Sequence, residues 1–266
     1  MLDQILSTAE DIIVLGKSGE DKVVFAFPFE REIAKNYYKK TIADTKENNV
    51  KGFNRHWKFD DKTGLIKGSN TFLVLKLDEQ IRKDGLWIPT PEQAMLLDKK
   101  GKLSNNVYRD YGMAVYSEAQ PNQEIAKEII SQTKRKLPLV IPFKDLTHRL
   151  DENFPYGVAI TLIDKPKEVI FGEEARQYLD KEFDYKMDSG VCRLYRSRDG
   201  NWNADWDRFD NSNADGRVDF VCGEATRADL KEAYKGLLEG QYNIQINKLT
   251  TERDERQAEF KKSLKI

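Results

Sequence analysis

Apolar residues in this chain fall into short runs whose spacing changes several times along its length. Near the start, "DIIVLG" and "DKVVFAF" are brief apolar runs split by the turn-forming "KSGED", which predicts two strands. Glu30–Glu47 then sets Ile33, Tyr37 and Ile42 near helical spacing. A second helix is expected from Thr71, where "FLVLKLDEQIRK" ends in charges and Asp84-Gly85. After Gly85, "LWIP" reads as a short strand, followed by a helix with Thr90 as its cap and Pro91 in its first turn. "NNVYRDYGMAVY" reads as a turn and an alternating strand. "PNQEIAKEIISQTKRK" is amphipathic, with Ile125, Ile129 and Ile130 on the buried stripe. Leu137–Phe143 and Tyr156–Ile163 are apolar strands, and "EEARQYLDKEF" after Gly172 is a short helix. Beyond Thr226 the pattern turns helical, with a break expected near Gly240 and a highly charged end. This order predicts an α+β chain with segregated elements, not the even alternation of a doubly wound sheet.

Two alternating segments frame an unusual tract. In Gly190–Ser197, Val191, Arg193 and Tyr195 alternate with Cys192, Leu194 and Arg196; in Gly216–Cys222, Val218, Phe220 and Cys222 share a face. Both read as strands with one buried side. Between them lies a polar connection of about twenty residues, too long for an ordinary loop and too aromatic for a disordered one. Composition sharpens the contrast. The chain has 29 Lys and 21 Glu, so the window 188–223 should hold about seven of them. It holds none, and no Gln. Asp and Asn instead supply nine of the twenty residues from Arg198 to Arg217, with Trp202, Trp206 and Phe209 set among them. A solvated face would draw on the same Lys and Glu as the rest of the surface.

The tract "RLYRSRDGNWNADWDRFDNSNADGRV" resembles the variable region of proteins diversified by diversity-generating retroelements, which have a C-type lectin fold. In that family a reverse transcriptase copies a template repeat with errors at adenines, and the copy overwrites the variable region. An AAC or AAT codon randomised at its adenines reaches Asn, Asp, Ser, Gly, Tyr, His and Arg, but never Lys, Glu, Gln, Met or Trp. Asn201, Asn203, Asp205, Asp207, Arg208, Asp210, Asn211, Asn213 and Asp215 fit that set, and the resemblance implies that they are variable and ligand-facing. Tyr195, Arg196 and Arg198 join them from the preceding strand. Trp202 and Trp206 cannot arise this way, so they are expected to be buried scaffold together with Leu194 and Val218. The scaffold run from "LWIPTPEQAMLLDKKGKL" to "LPLVIPF" is similar to archaeal and archaeal-virus members of the same family. The implied architecture is a C-type lectin-like domain over 85–225 with its variable region at about 190–222. An N-terminal α/β extension, 1–84, precedes it, and a helical tail, 226–266, follows.

Global properties narrow the function classes. A formal net charge of -1 gives no footprint for nucleic acid. No apolar run approaches membrane-spanning length, and "MLDQILSTAEDII" carries acids where a signal peptide needs a basic start. The expectation is a soluble chain without membrane insertion, cytoplasmic or virion-associated. Cys192 and Cys222 read as buried thiols, with a bridge between neighbouring strands the alternative. His56, between Arg55 and Trp57, has no nearby Cys, His or paired acid to make it catalytic. Formylglycine-generating enzymes resemble the "GRV" strand but need a cysteine pair in a pocket motif, which these strand cysteines do not form. Asp199, Asn201, Asn203, Asp205, Asp207 and Asp210 mimic an EF-hand spacing, but Ala204 stands where the turn needs Gly, and Asp210 where Glu is usual. A lectin-type calcium site that binds sugar, with Trp stacking on it, is the alternative function. The reading is a non-enzymatic binding protein with no catalytic residue, cofactor or resident metal. Its partner is a variable ligand, a protein or cell-surface molecule, met by small polar residues and rigid aromatics.

Overall fold

The computed structural model describes residues 12–19, 22–47, 57–115, 123–133, 139–151, 153, 158–162, 190–206, 209 and 213–263. The two first apolar runs form an antiparallel hairpin, β1 (Ile13–Ser18) and β2 (Lys22–Pro28). Helix α1 (Arg31–Glu47) follows, but its buried stripe is Ala34, Tyr37, Thr41 and Thr45. Ile33 and Ile42 are only half-buried beside it. The rotation has a physical reason: small side chains let α1 pack against the next helix. Its buried threonines bond their own backbone, Thr41 Oγ1 donating to the Tyr37 carbonyl at 2.8 Å and Thr45 Oγ1 to the Ile42 carbonyl at 2.9 Å.

Strands β3 (Lys58–Asp60) and β4 (Leu65–Ser69) lead into α2 (Thr71–Arg82), whose first turn is capped by the Asn70 side chain. After β5 (Leu86–Trp87), α3 (Pro91–Lys99) starts as expected, with a Thr90–Gln93 capping box and Pro91 in its first turn. Next come β6 (Arg109–Val115) and α4 (Gln123–Thr133), with Ile125 and Ile129 fully buried. Strand β7 (Leu139–Pro142) runs through a single 3-10 turn into β8 (Leu146–Leu150), a strand the polar "THR" had concealed. The chain then forms β9 (Val158–Leu162), β10 (Val191–Arg196), β11 (Trp202–Trp206), β12 (Asn213–Val218), β13 (Phe220–Thr226) and α5 (Arg227–Ser263). The helix expected in "EEARQYLDKEF" lies outside the described residues.

The strands assemble into antiparallel sheets ordered β1-β2-β13-β5, β11-β10-β6-β7, β12-β4-β3 and β8-β9. The protein is therefore mixed α+β, as the element order predicts. Four expectations are corrected. The tract after Arg198 is not a long irregular loop, because β11 pairs with β10 and β12 pairs with β4. Nor does β10 have one wet side: every residue from Val191 to Arg196 is buried. Gly216–Cys222 is not one strand. It breaks at Asp219, sending Val218 to β4 and Phe220–Thr226 between β2 and β5. Residues on both sides of 84 contribute to one core, since β2 and β13 share a sheet and one buried cluster runs from Ile13 to Ala225. Apolar surface from both segments is removed from water together in that cluster. Finally, α5 continues through Gly240 without a break. Among the described residues, no helix is long and apolar enough to cross a membrane.

Candidate functional site

The tract is mounted on β10, and what holds β10 is polar. Arg193 donates from Nε to Asp110 Oδ1 at 3.0 Å and from Nη2 to Oδ2 at 3.2 Å, with both residues buried. Such a fork matches guanidinium to carboxylate geometry and tolerates burial because each charge is answered. Arg196 is also buried; its Nη2 donates to Asp98 Oδ1 and Asn105 Oδ1, each at 2.9 Å. Arg109, opposite it on β6, grips Asp219 through Nε at 3.0 Å and the Ser104 carbonyl through Nη1 at 2.8 Å. These pairs lock β6, β10, the turn after α3 and the β12–β13 junction into one frame.

A tight hairpin joins β10 to β11. Ser197 N–H bonds the Asn201 carbonyl at 2.8 Å, and Gly200 takes a left-handed φ of 92° beside the Arg196 guanidinium. In β11, Trp202 and Ala204 point inward, and Trp202 packs on Tyr111 with ring centroids 5.0 Å apart. Asn203 is half-buried and Asn201 exposed. Phe209 is fully buried, edge-on to Phe72, and its carbonyl accepts from Asn70 Nδ2 at 3.1 Å. Asn70 thus caps α2 and pins the tract at once. On β12, a Cβ at Gly216 would sit 2.1 Å from the Ser69 backbone nitrogen, so only glycine allows this approach to β4.

A segment outside the tract completes the arrangement. Asn106, with a left-handed φ of 68°, donates its N–H to the Arg198 carbonyl at 2.7 Å. Tyr108 bonds the Asp215 carbonyl and receives the Arg217 N–H. Residues 104–108 therefore run between the β10–β11 hairpin and β12 and hold both. None of these holders stands out in the sequence, because the pairs they form join residues about ninety positions apart or more. The outer edge is different in kind. Arg198 and Asp215 form an ion pair at 3.3 Å with both side chains more than half exposed. The Asp199 carboxyl lies below the usual carboxylate range, held chiefly by the Ser197 hydroxyl, with backbone N–H groups and, least of all, Asn201 Nδ2 at 2.9 Å adding to it.

Several predicted positions are thereby placed. Asn201, Asn203, Arg198 and Asp215 face or reach solvent, whereas Tyr195 and Arg196 are buried in the frame and cannot meet a ligand from β10. Trp202, Leu194 and Val218 are buried. Asp205, Trp206 and Asn213 are placed by backbone alone, and Asp207, Arg208, Asp210 and Asn211 lie outside the described residues, as does His56. Among the described residues no group of three or more His, Cys, Asp or Glu is disposed to hold a metal. Cys192 and Cys222 are buried thiols on strands of different sheets; burial pushes the Cys222 thiol up, away from reactivity.

The second histidine, His148, sits at a structural pin. Its Nδ1 lies 2.7 Å from Glu79 Oε1, which also accepts the Thr147 hydroxyl at 2.6 Å. Desolvation raises the Glu79 carboxyl, but these bonds outweigh it and hold it at about 2. The pair ties β8 to α2. No protein-family model, curated protein or solved structure matches this chain.

Proposed function

We propose that this chain is a non-enzymatic ligand-binding protein, the variable protein of a diversity-generating retroelement with a C-type lectin-like fold. Its tract at about 190–222 is the diversified region, and its partner is a protein or cell-surface molecule whose identity changes with the tract. The observation that carries this reading is the window 188–223, which lacks Lys, Glu and Gln while its Asp and Asn crowd around fixed aromatics. Random solvated surface does not exclude those three residues, but adenine-directed change of Asn codons does.

The geometry supports the same division of labour. Buried Arg–Asp pairs and the Trp202–Tyr111 contact hold the backbone, while Asn201, Asn203, Arg198 and Asp215 sit where side chains can change at little cost to folding. Small amides and carboxylates there supply adaptable hydrogen bonds, and the rigid strands lower the entropy lost on binding.

The test is to sequence the gene with its flanks. The expected result is a near-copy of the segment encoding residues 190–222 beside a reverse-transcriptase gene, differing only where the copy carries adenine. Codons for Trp202, Trp206 and Gly216 should be identical in both copies, and the copy should carry AAC or AAT opposite Asn201, Asn203 and Asp215, altered in the gene at Asp215. A locus with neither copy nor reverse transcriptase sinks the proposal and leaves a fixed binding site.

A further inference from the structure

Helix α5 is 37 residues long, which at helical rise spans about 55 Å. Its base packs on β13, with Leu230 against the core. From Gln245 to Ser263 every residue is exposed apart from the half-exposed Glu252. That outer half nevertheless carries a stripe. Ile246, Leu249, Arg253, Arg256 and Phe260 follow one another at alternating steps of three and four, the spacing of a coiled-coil seam. Leu249 and Phe260 are each 64% exposed, and Ile246 is 42% exposed.

A helix gains little from its own backbone in water, and most helical stability comes from packing an apolar face. This half of α5 packs on no described element, and its one described ion pair joins neighbours, Arg253 and Asp254, both exposed. Polar helices of this kind persist by bridging or by pairing.

We infer that the outer half of α5 is a homodimerisation stalk whose occupant is the same helix of a second copy. Charge complementarity selects that occupant. The seam is basic at its centre, through Arg253 and Arg256, and is flanked on one side by the acids Glu252 and Glu259. When two such helices pair in parallel and in register, Arg253 of each copy packs at the seam beside the Glu252 that flanks it on the other. Each copy thus supplies both halves of the match, while Ile246, Leu249 and Phe260 close the apolar layers at either end. A foreign partner would need its own acids at that spacing; this chain already has them. Two bodies joined by such a stalk display two tracts, and paired sites raise the strength of attachment to a repetitive surface without any new contact. The inference stands on α5 alone and does not depend on what the tract binds.

Sedimentation of the full chain over a concentration series tests it. The expected species has twice the 30.8 kDa of the chain and dissociates on dilution. Leu249→Glu with Phe260→Glu should weaken association at least tenfold and lower the far-ultraviolet helical signal, while the melt of the body stays put. Glu252→Lys with Glu259→Lys should weaken association too, most at low salt. A wild-type chain that stays monomeric at concentrations on the order of 100 μM overturns the inference. In that case a lowered melt in the Glu variant assigns the stripe to another part of the same chain, and an unchanged melt to a different protein. A dimer that survives both double variants overturns it as well, because its interface then lies elsewhere.

Discussion

Two arginine–aspartate pairs lie within a few residues of each other along the tract and differ in almost everything but chemistry. Arg193–Asp110 is inside, with side-chain exposures of 4% and 0%, and joins two neighbouring strands by a fork. Arg198–Asp215 is outside, with exposures of 53% and 54%, and joins a turn to a strand across open solvent. Water screens the second pair and costs it side-chain entropy, so it adds little to stability. The first pair has no water to fall back on, so neither charge tolerates losing the other. The same residue types therefore act as frame in one place and as exchangeable surface in the other.

The largest expected effect comes from breaking the inner pair. Asp110→Ala leaves Arg193 buried and unanswered, at a cost of about 3–5 kcal/mol, which lowers the melting temperature by about 10 °C. Replacing both partners, Arg193→Met with Asp110→Leu, should restore part of that loss. A thermal melt of Asp110→Ala indistinguishable from the wild type would erase the distinction between the two pairs.

The next effect uses a second buried carboxylate. Asp78 is fully buried; it accepts the Ile88 N–H at 2.6 Å, and Arg82 Nε lies 2.9 Å from its other oxygen. Desolvation outweighs both and raises its pKa to about 7. The native state thus holds this proton more tightly than the unfolded chain does. The resulting stabilisation is complete below the ordinary Asp range and is lost as pH rises through about 7. Urea unfolding at pH 5 and pH 8 should show the wild type less stable at the higher pH. Asp78→Asn should flatten that difference, and an unchanged slope in the variant would assign the effect to another group.

The smallest effect belongs to the outer pair. Arg198→Ala with Asp215→Ala should change stability by no more than about 0.5 kcal/mol, read as an unmoved melt. A fall comparable to that of Asp110→Ala would place the outer pair in the frame and remove it from the binding surface.

The local elements were largely legible. Capping at Thr90 with Pro91, the β1–β2 hairpin and the Ile125–Ile129 stripe each follow from contacts within a few residues, which a linear pattern records. The strand in "LTHRL" was not legible, because its alternation is masked by polar residues that pin it to Glu79. Arg196 and Tyr195 read as ligand-facing, since arginine and tyrosine are common at binding surfaces; their burial depends on Asp98, Asn105 and Tyr108, brought from about ninety residues away.

By itself the sequence determined the class of elements, most of their positions, and the tract whose composition departs from the rest. Those properties rest on side-chain periodicity and residue choice, which are local. Tertiary structure alone decided that the first eighty-odd residues and the last strand share one sheet, that β10 is buried on both faces, and that Gly216–Cys222 divides between two sheets. It also decided which Asp is frame and which is surface. Burial and charge pairing are made by distant segments meeting, and a carboxylate has the same letter whether an arginine or water answers it.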